Sequence, residues 1–233
     1  MKVWVTRTQP GAGRTADRLR ALGHEPLLVP VLETHPVPGR IVLTGLAALA
    51  FTSVNAVEAF AERERGRDLP VFAVGASTAA AATSAGFGHV RSAGGDVRAL
   101  AALIAATSPP GEVLHVAGRP LAGDLVGALQ GAGLRTRMVV LYETRPTGSG
   151  PPLEADVVLV HSPHAARVLA EGLKSSPRWR SAPVLAISKA AAEPLRSAGF
   201  TCVRWADRPD EAALLDCLTA FGRRLTSAAP PAL

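Results

Sequence analysis

Residues 84–93 read SAGFGHVRSA and residues 197–206 read SAGFTCVRWA, identical at seven of ten positions with an offset of 113. A repeat at long period constrains a fold before any local propensity does. Working outward, FTSVNAVEAF (51–60) is echoed by VHSPHAARVL (160–169), and residues 19–36 are echoed by 129–146 at an offset of 110. The last pair shares Leu19/Leu129, Gly23/Gly133, Val29/Val139, Glu33/Glu143, Thr34/Thr144 and Pro36/Pro146. The chain is therefore written X-Y-X-Y, two kinds of piece in two copies.

Each X reads strand–helix–strand. In the first, KVWVT is a short apolar run, residues 11–22 carry helical spacing through Leu19 and Leu22, Gly23 stops the helix, and PLLVPVL is the next strand. In the second the elements are EVLHV, a helix over 121–132 stopped by Gly133, and TRMVVLY. Each Y reads as three strand–helix pairs. These are LAALAFT, 54–62, PVFAV, 76–85, HVRS and 97–106, then ADVVLV, 164–171, PVLAI, 189–198, TCVRW and 210–222. Apolar strands alternating with alanine-rich helices predict parallel sheets covered on both faces.

One X and one Y together supply five strands, a complete doubly wound sheet. The X-to-Y joins, THPVPGRIVLTG and RPTGSGPPLEA, are long and turn-rich, whereas the Y-to-X join TSPPGE is an ordinary short loop. The expectation is two α/β lobes, each a flavodoxin-like doubly wound parallel sheet of five strands. One is continuous over 37–142 and the other is discontinuous, 1–34 with 147–233. Two linkers at about 35–40 and 143–150 join them, and sites at the strand C-termini are expected to face a shared cleft.

Composition narrows the function. The 233 residues are 48% hydrophobic and 19% charged, enough for real cores and too apolar for disorder. Net charge is +6, but aromatics are only 4% and lysine is confined to Lys2, Lys174 and Lys189, so the interleaved basic–aromatic signature of a nucleic-acid binder is missing. The arginines read mainly as scattered surface charge, with a minority available to line a site for an acidic small molecule. Cys202 and Cys217 give neither a disulfide framework nor metal-ligand spacing. No run approaches the ~18 apolar residues of a membrane span, and MKVWVTRTQP has no secretion-signal core. The reading is a soluble cytoplasmic protein without nucleic-acid or membrane partners.

GAGRTA (11–16) fits G-x-G-x-x-A, and Glu33 stands 20 residues beyond Gly13, as a dinucleotide fingerprint asks. Against it, Pro10 intervenes between strand and glycine, and the matching turn AGRPLAG lacks the motif.

Several phrases in order, VTR (5–7), LGHEPLLVPVLE, FTSVNAV (51–57), AVGASTAAA (73–81), AGR (117–119), VLYETRP (140–146), HSPHAA (161–166) and Pro209-Asp210-Glu211, resemble uroporphyrinogen-III synthases over nearly the whole chain. The resemblance implies two hinged flavodoxin-like lobes and closure of the linear tetrapyrrole hydroxymethylbilane, with loss of water and inversion of the last ring. It also implies control of conformation, since the bilane left alone closes without inversion. It implies a monomer that uses no metal or organic cofactor, and it leaves open direct hand-over from hydroxymethylbilane synthase. A catalytically degenerate tetrapyrrole-binding regulatory module is the alternative.

Tyr142 is the only tyrosine, and Leu32 holds its place in the first X. By resemblance its phenol donates a hydrogen bond or proton to the departing hydroxyl; by chemistry alone a phenol with ordinary pKa near 10 can do this, or can simply pack. In FTSVNAV the resemblance marks Thr52, Ser53 and Asn55 as substrate contacts. Gly75 and Thr78 begin a helix after a strand, where glycine permits a tight turn and threonine can cap or bind a carboxylate. Ser53 and Ser162 hold equivalent places, with capping and substrate contact both open. Arg7 and Arg119 follow the first strands of the two X pieces, placed for carboxylates or for the surface. His161 and His164 lack the company of a metal site and read as a strand-end residue and a first-turn polar contact. The second Y departs from the family's Gly-x-x-Thr with ISKAAA, leaving Ser188 to cap and Lys189 to pair a carboxylate.

Overall fold

The computed structural model describes residues 1–227; residues 228–233, the end of the expected discontinuous lobe, lie outside the described residues. The first X forms β1 (Lys2–Val5), α1 (Gly11–Ala21), β2 (Glu25–Leu28) and β3 (Leu32–Pro36). The first Y forms β4 (Leu46–Phe51), α2 (Val54–Arg63), β5 (Val71–Ala73), α3 (Ala76–Ser84), β6 (Val90–Ser92) and α4 (Val97–Thr107). The second X forms β7 (Glu112–Arg119), α5 (Leu125–Gly131) and β8 (Thr136–Pro146). The second Y forms β9 (Val157–Val160), α6 (Pro163–Leu173), α7 (Pro177–Ser181), β10 (Val184–Ala186), α8 (Lys189–Ser197), β11 (Val203–Trp205) and α9 (Glu211–Ser227).

Two compact units result, Met1–Glu33 with the chain from Arg145 onward, and Thr34–Thr144. The first holds a five-stranded sheet ordered β11-β10-β9-β1-β2, parallel throughout. The second sheet is ordered β3-β8-β7-β4-β5-β6, with β8 to β6 parallel and β3 added at the edge beside β8. Counted from X into Y, both sheets carry the order 2-1-3-4-5 of a doubly wound fold. The second unit reaches it with Y preceding X in the chain, so it is a circular permutation of the first. Its sixth strand differs from the expected five, because the crossing residues are extended chain paired at the sheet edge.

The opening repeat has a physical reason. Gly86 (φ 95°) and Gly199 (φ 82°) end α3 and α8 in the left-handed conformation that favours glycine. The amides of the next residues reach back identically, Phe87 N–H to the Ala82 carbonyl at 3.2 Å and Phe200 N–H to the Leu195 carbonyl at 3.0 Å. Both phenylalanines are buried, and an edge strand follows each.

Each sheet is covered on both faces. In the first unit Trp4, Val158 and Val160 pack on α6 and α8, while Val3, Val5, Val157 and Leu159 pack on α1 and α9. In the second, Leu49, Phe51, Leu114 and Val116 meet α2 and α3, and Ala48, Ala50 and Val113 meet α4 and α5. Burying one such side chain fully contributes about 1.5–3 kcal/mol, which is why these strands read as continuous apolar runs.

Three details differ from the sequence reading. PLLVPVL is two strands, since Pro30 cannot donate to a ladder; Val31 N–H instead bonds the Thr6 carbonyl at 3.0 Å. Helix α5 begins at Leu125 because the Asp124 carboxylate caps it, accepting from Gly127 N–H at 2.8 Å, and Leu121 is left exposed. The short α7 has no counterpart in the sequence reading. It places Trp179 edge-on to Trp4 with centroids 5.3 Å apart, while Trp4 Nε1 donates to the Val29 carbonyl at 2.6 Å.

Candidate functional site

In the second unit the polar groups gather around the end of β4. Ser53 is the N-cap of α2, its hydroxyl accepting from Ala56 N–H at 3.1 Å. The same Oγ lies 2.7 Å from the Tyr142 hydroxyl. Tyr142 is 9% exposed; burial raises its pKa above the ordinary value of 10, and the bond with Ser53 opposes that rise. The phenol is therefore protonated at neutral pH.

A β-bulge aims the ring. Ala117 pairs with Val140 but Gly118 pairs with Tyr142, so β8 advances two residues against one of β7. Side chains of adjacent strand residues normally alternate between faces. Here Leu141 and Tyr142 both join the cluster on the α2–α3 face. The hydroxyl-bearing end of the ring lies where a Cβ on Gly118 would otherwise stand.

Beside this pair, Thr52 Oγ1 is 3.3 Å from Nε2 of His115. His115 is buried in β7, its pKa pushed down to about 4 by burial against a weaker opposing effect of Asp124. It is a neutral imidazole at physiological pH. Asn55 Nδ2 donates to the Thr34 hydroxyl on β3 at 3.3 Å. Gly75 caps α3 without a side-chain bond, at an extended φ of −156° and with open space where a Cβ would be. The backbone does not require glycine there, contrary to the tight turn expected. Thr78 is buried in the first turn of α3, and Arg119 is exposed at the end of β7.

The first unit holds a different arrangement. Arg7 Nη1 is 3.1 Å from Glu211 Oε2, Thr15 Oγ1 donates to Oε1 at 2.6 Å, and His161 Nε2 lies 3.3 Å from Oε2. Burial pushes the Glu211 carboxyl up, but His161, Thr15 and Arg7 outweigh it and hold it at about 2. Burial also lowers Arg7 and His161. Arg7 thus has an internal partner, and Gly11 is small because a Cβ there would strike the guanidinium. Gly13 N–H is taken by the Gln9 side chain at 3.0 Å, so GAGRTA is accounted for without phosphate. Ser162 and Ser188 cap α6 and α8, accepting from Ala165 N–H at 3.1 Å and Ala191 N–H at 3.2 Å. His164 is half-buried in the first turn of α6, its pKa lowered by burial and by Arg167.

Gly118, His115, Thr15 and Glu211 were not among the residues the sequence singled out. Gly118, Glu211 and Thr15 stood inside quoted phrases, AGR, Pro-Asp-Glu and GAGRTA, without being marked themselves; His115, in the strand EVLHV, gave no signal beyond a polar residue at a buried position. Among the described residues, no three His, Cys, Asp or Glu side chains gather as a metal-binding set, and no helix is long and apolar enough to cross a membrane.

Two doubly wound sheets with polar side chains at the C-terminal ends of their strands define an α/β protein of the class that handles small molecules at those ends. The model of the family described as uroporphyrinogen-III synthase HemD matches residues 13–216. The chain belongs to the uroporphyrinogen-III synthase family, cyclising lyases of tetrapyrrole biosynthesis. Its fold is similar to that of the uroporphyrinogen-III synthetase of Helicobacter pylori, at 18% identity and TM-score 0.66, over 94% of this chain and 98% of that one. It is also similar to a mutant uroporphyrinogen III synthase of the extremely thermophilic bacterium Thermus thermophilus, at 22% identity and TM-score 0.60, over 97% and 99%. The comparison with curated proteins gives no match.

Proposed function

We propose that this chain converts hydroxymethylbilane to uroporphyrinogen III with Tyr142 as the proton donor to the departing hydroxyl. The observation that carries the reading is the 2.7 Å contact between Tyr142 and Ser53. Ser53 Oγ already accepts Ala56 N–H, so its own hydrogen is free to point at the phenol oxygen. The phenol hydrogen is then left for the substrate. As the C–O bond of the hydroxymethyl group breaks, its electron pair leaves with the oxygen, the proton of Tyr142 converts it to water, and the pyrrole nitrogen feeds electrons to the carbon left behind. The phenolate that remains is met by Ser53 O–H and by the positive end of α2.

On this reading the uncapped first turn of α3 at Gly75, with Thr78 and Arg119, receives substrate carboxylates through N–H groups and guanidinium. Thr52 and Asn55, on either side of Ser53 in the chain, contact the substrate. Ser162, His164 and Ser188 take carboxylate contacts in the first unit, read as a rise in KM when each is replaced by alanine; Arg7 is already paired with Glu211. Because the free bilane closes without inversion, direct receipt from hydroxymethylbilane synthase suits the chemistry, and an excess of inactive synthase should then slow transfer. Cys202 and Cys217 carry thiols and share no disulfide, which suits a reducing cytoplasm.

The test generates hydroxymethylbilane in situ, oxidises the products and separates type I from type III isomers. Predominantly type III is expected. Type I alone at the spontaneous rate overturns the activity. Tyr142→Phe should lower kcat by about 10²-fold or more with an unchanged melting curve; a wild-type rate removes the donor role.

A further inference from the structure

We propose that Gly118 is a positioning residue for the reaction, a seat without which the phenol of Tyr142 cannot reach Ser53. The inference rests on the donor reading of Tyr142 for its catalytic consequence, but its geometry stands independently. The bulge between Ala117 and Gly118 puts Tyr142 on the same face as Leu141. Turned that way, the ring must cross the neighbouring strand β7, and the residue directly opposite is Gly118. The three atoms nearest a Cβ built on Gly118 are Cζ, Cε2 and Cε1 of Tyr142, the end of the ring that carries the hydroxyl. Any side chain at 118 therefore displaces the reactive end and spares the base of the residue.

The φ of Gly118 is not in the left-handed region, so backbone freedom does not explain the glycine. Space does. The hydroxyl is fixed from above by Ser53 at 2.7 Å and from below by the bare backbone of β7. The exposed Arg119 follows directly, so the phrase Ala-Gly-Arg packs the strand, seats the ring and presents a cation in three consecutive residues.

The experiment uses Gly118→Ala, Tyr142→Phe and the double variant in the full chain. Because Tyr142 is the only tyrosine, tyrosine labelled with carbon-13 at Cζ gives one NMR signal that reports this phenol alone. Gly118→Ala should shift that signal and its titration, lower kcat by about 10²-fold as an ångström-scale misplacement does, and leave KM within about twofold. In the Tyr142→Phe background the same change should cost no further activity, since no hydroxyl remains to misplace. An unmoved signal, or an equal loss of kcat in both backgrounds, overturns the proposal. If Gly118→Ala does not fold, Tyr142→Leu is added, the residue found at the matching position 32. Recovery of folding supports the clash with the ring, and continued failure overturns it. A wild-type rate for Tyr142→Phe together with a shifted signal in Gly118→Ala leaves the seat standing and removes only the donor role.

Discussion

Ser53 performs two tasks with one oxygen, and they are separable by experiment. As the cap of α2 its loss costs about 1 kcal/mol of stability; as the partner of Tyr142 its loss leaves the phenol without its hydrogen bond. Asp96 caps α4 through Arg98 and Ala99 N–H at 2.9 and 3.0 Å and touches none of the site groups. Ser53→Ala and Asp96→Ala should therefore lose similar stability in denaturant titrations, while only the former lowers kcat, by about tenfold given one lost hydrogen bond. The pairing of Ser53 with Tyr142 spans 89 residues, and no spacing rule connects them; only the equivalence of FTSVNAV and VHSPHAA put Ser53 at a strand end. Arg7 was legible as a strand-end cation, but its partner Glu211 lies 204 residues away. Sequence could not reveal that the charge is already met.

At the scale of elements, the repeat made the sheet order legible because strand, helix and glycine stop recur in register, down to the paired Phe87 and Phe200. The bulge in β8 was not legible. A bulge is a slip of one residue in pairing and leaves no mark on composition, yet it decides which face Tyr142 takes. Pro30 was visible, but the apolar residues around it masked the break between β2 and β3. Helix α7 is too short for a periodicity to emerge, and its reason is a tertiary contact, Trp179 against Trp4. Trp179→Ala should accordingly destabilise the protein by about 3–5 kcal/mol, measured as a fall in denaturation midpoint, although the helix holds only five residues.

For the whole molecule, the two units give two predictions. Both bury a neutral histidine, His161 in one and His115 in the other, with pKa values lowered by burial from an ordinary 6.5. Below that value the unfolded chain takes up protons that the folded chain refuses, so stability falls as pH falls. Glu211, held at about 2 from an ordinary 4.5, adds stability that is full above 4.5 and lost as pH descends towards 2. Melting temperatures should decline below about pH 6.5 and more steeply below 4.5, and Glu211→Gln should flatten the lower limb while lowering stability at neutral pH. Residues 34–144 contain both faces of their sheet and both covering helix pairs, and should melt cooperatively when expressed alone, as read by circular dichroism. The permuted order of pieces also sets a timetable for synthesis. The second unit is complete once β8 has left the ribosome, whereas β1 is an inner strand flanked by β2 and β9, and β9 begins only at Val157. At about 5–20 residues per second, the β9-facing edge of the nascent Val3-Trp4-Val5 waits roughly 8–30 s unpaired, time in which a newly made chain is exposed to chaperones and to its own copies on the same messenger.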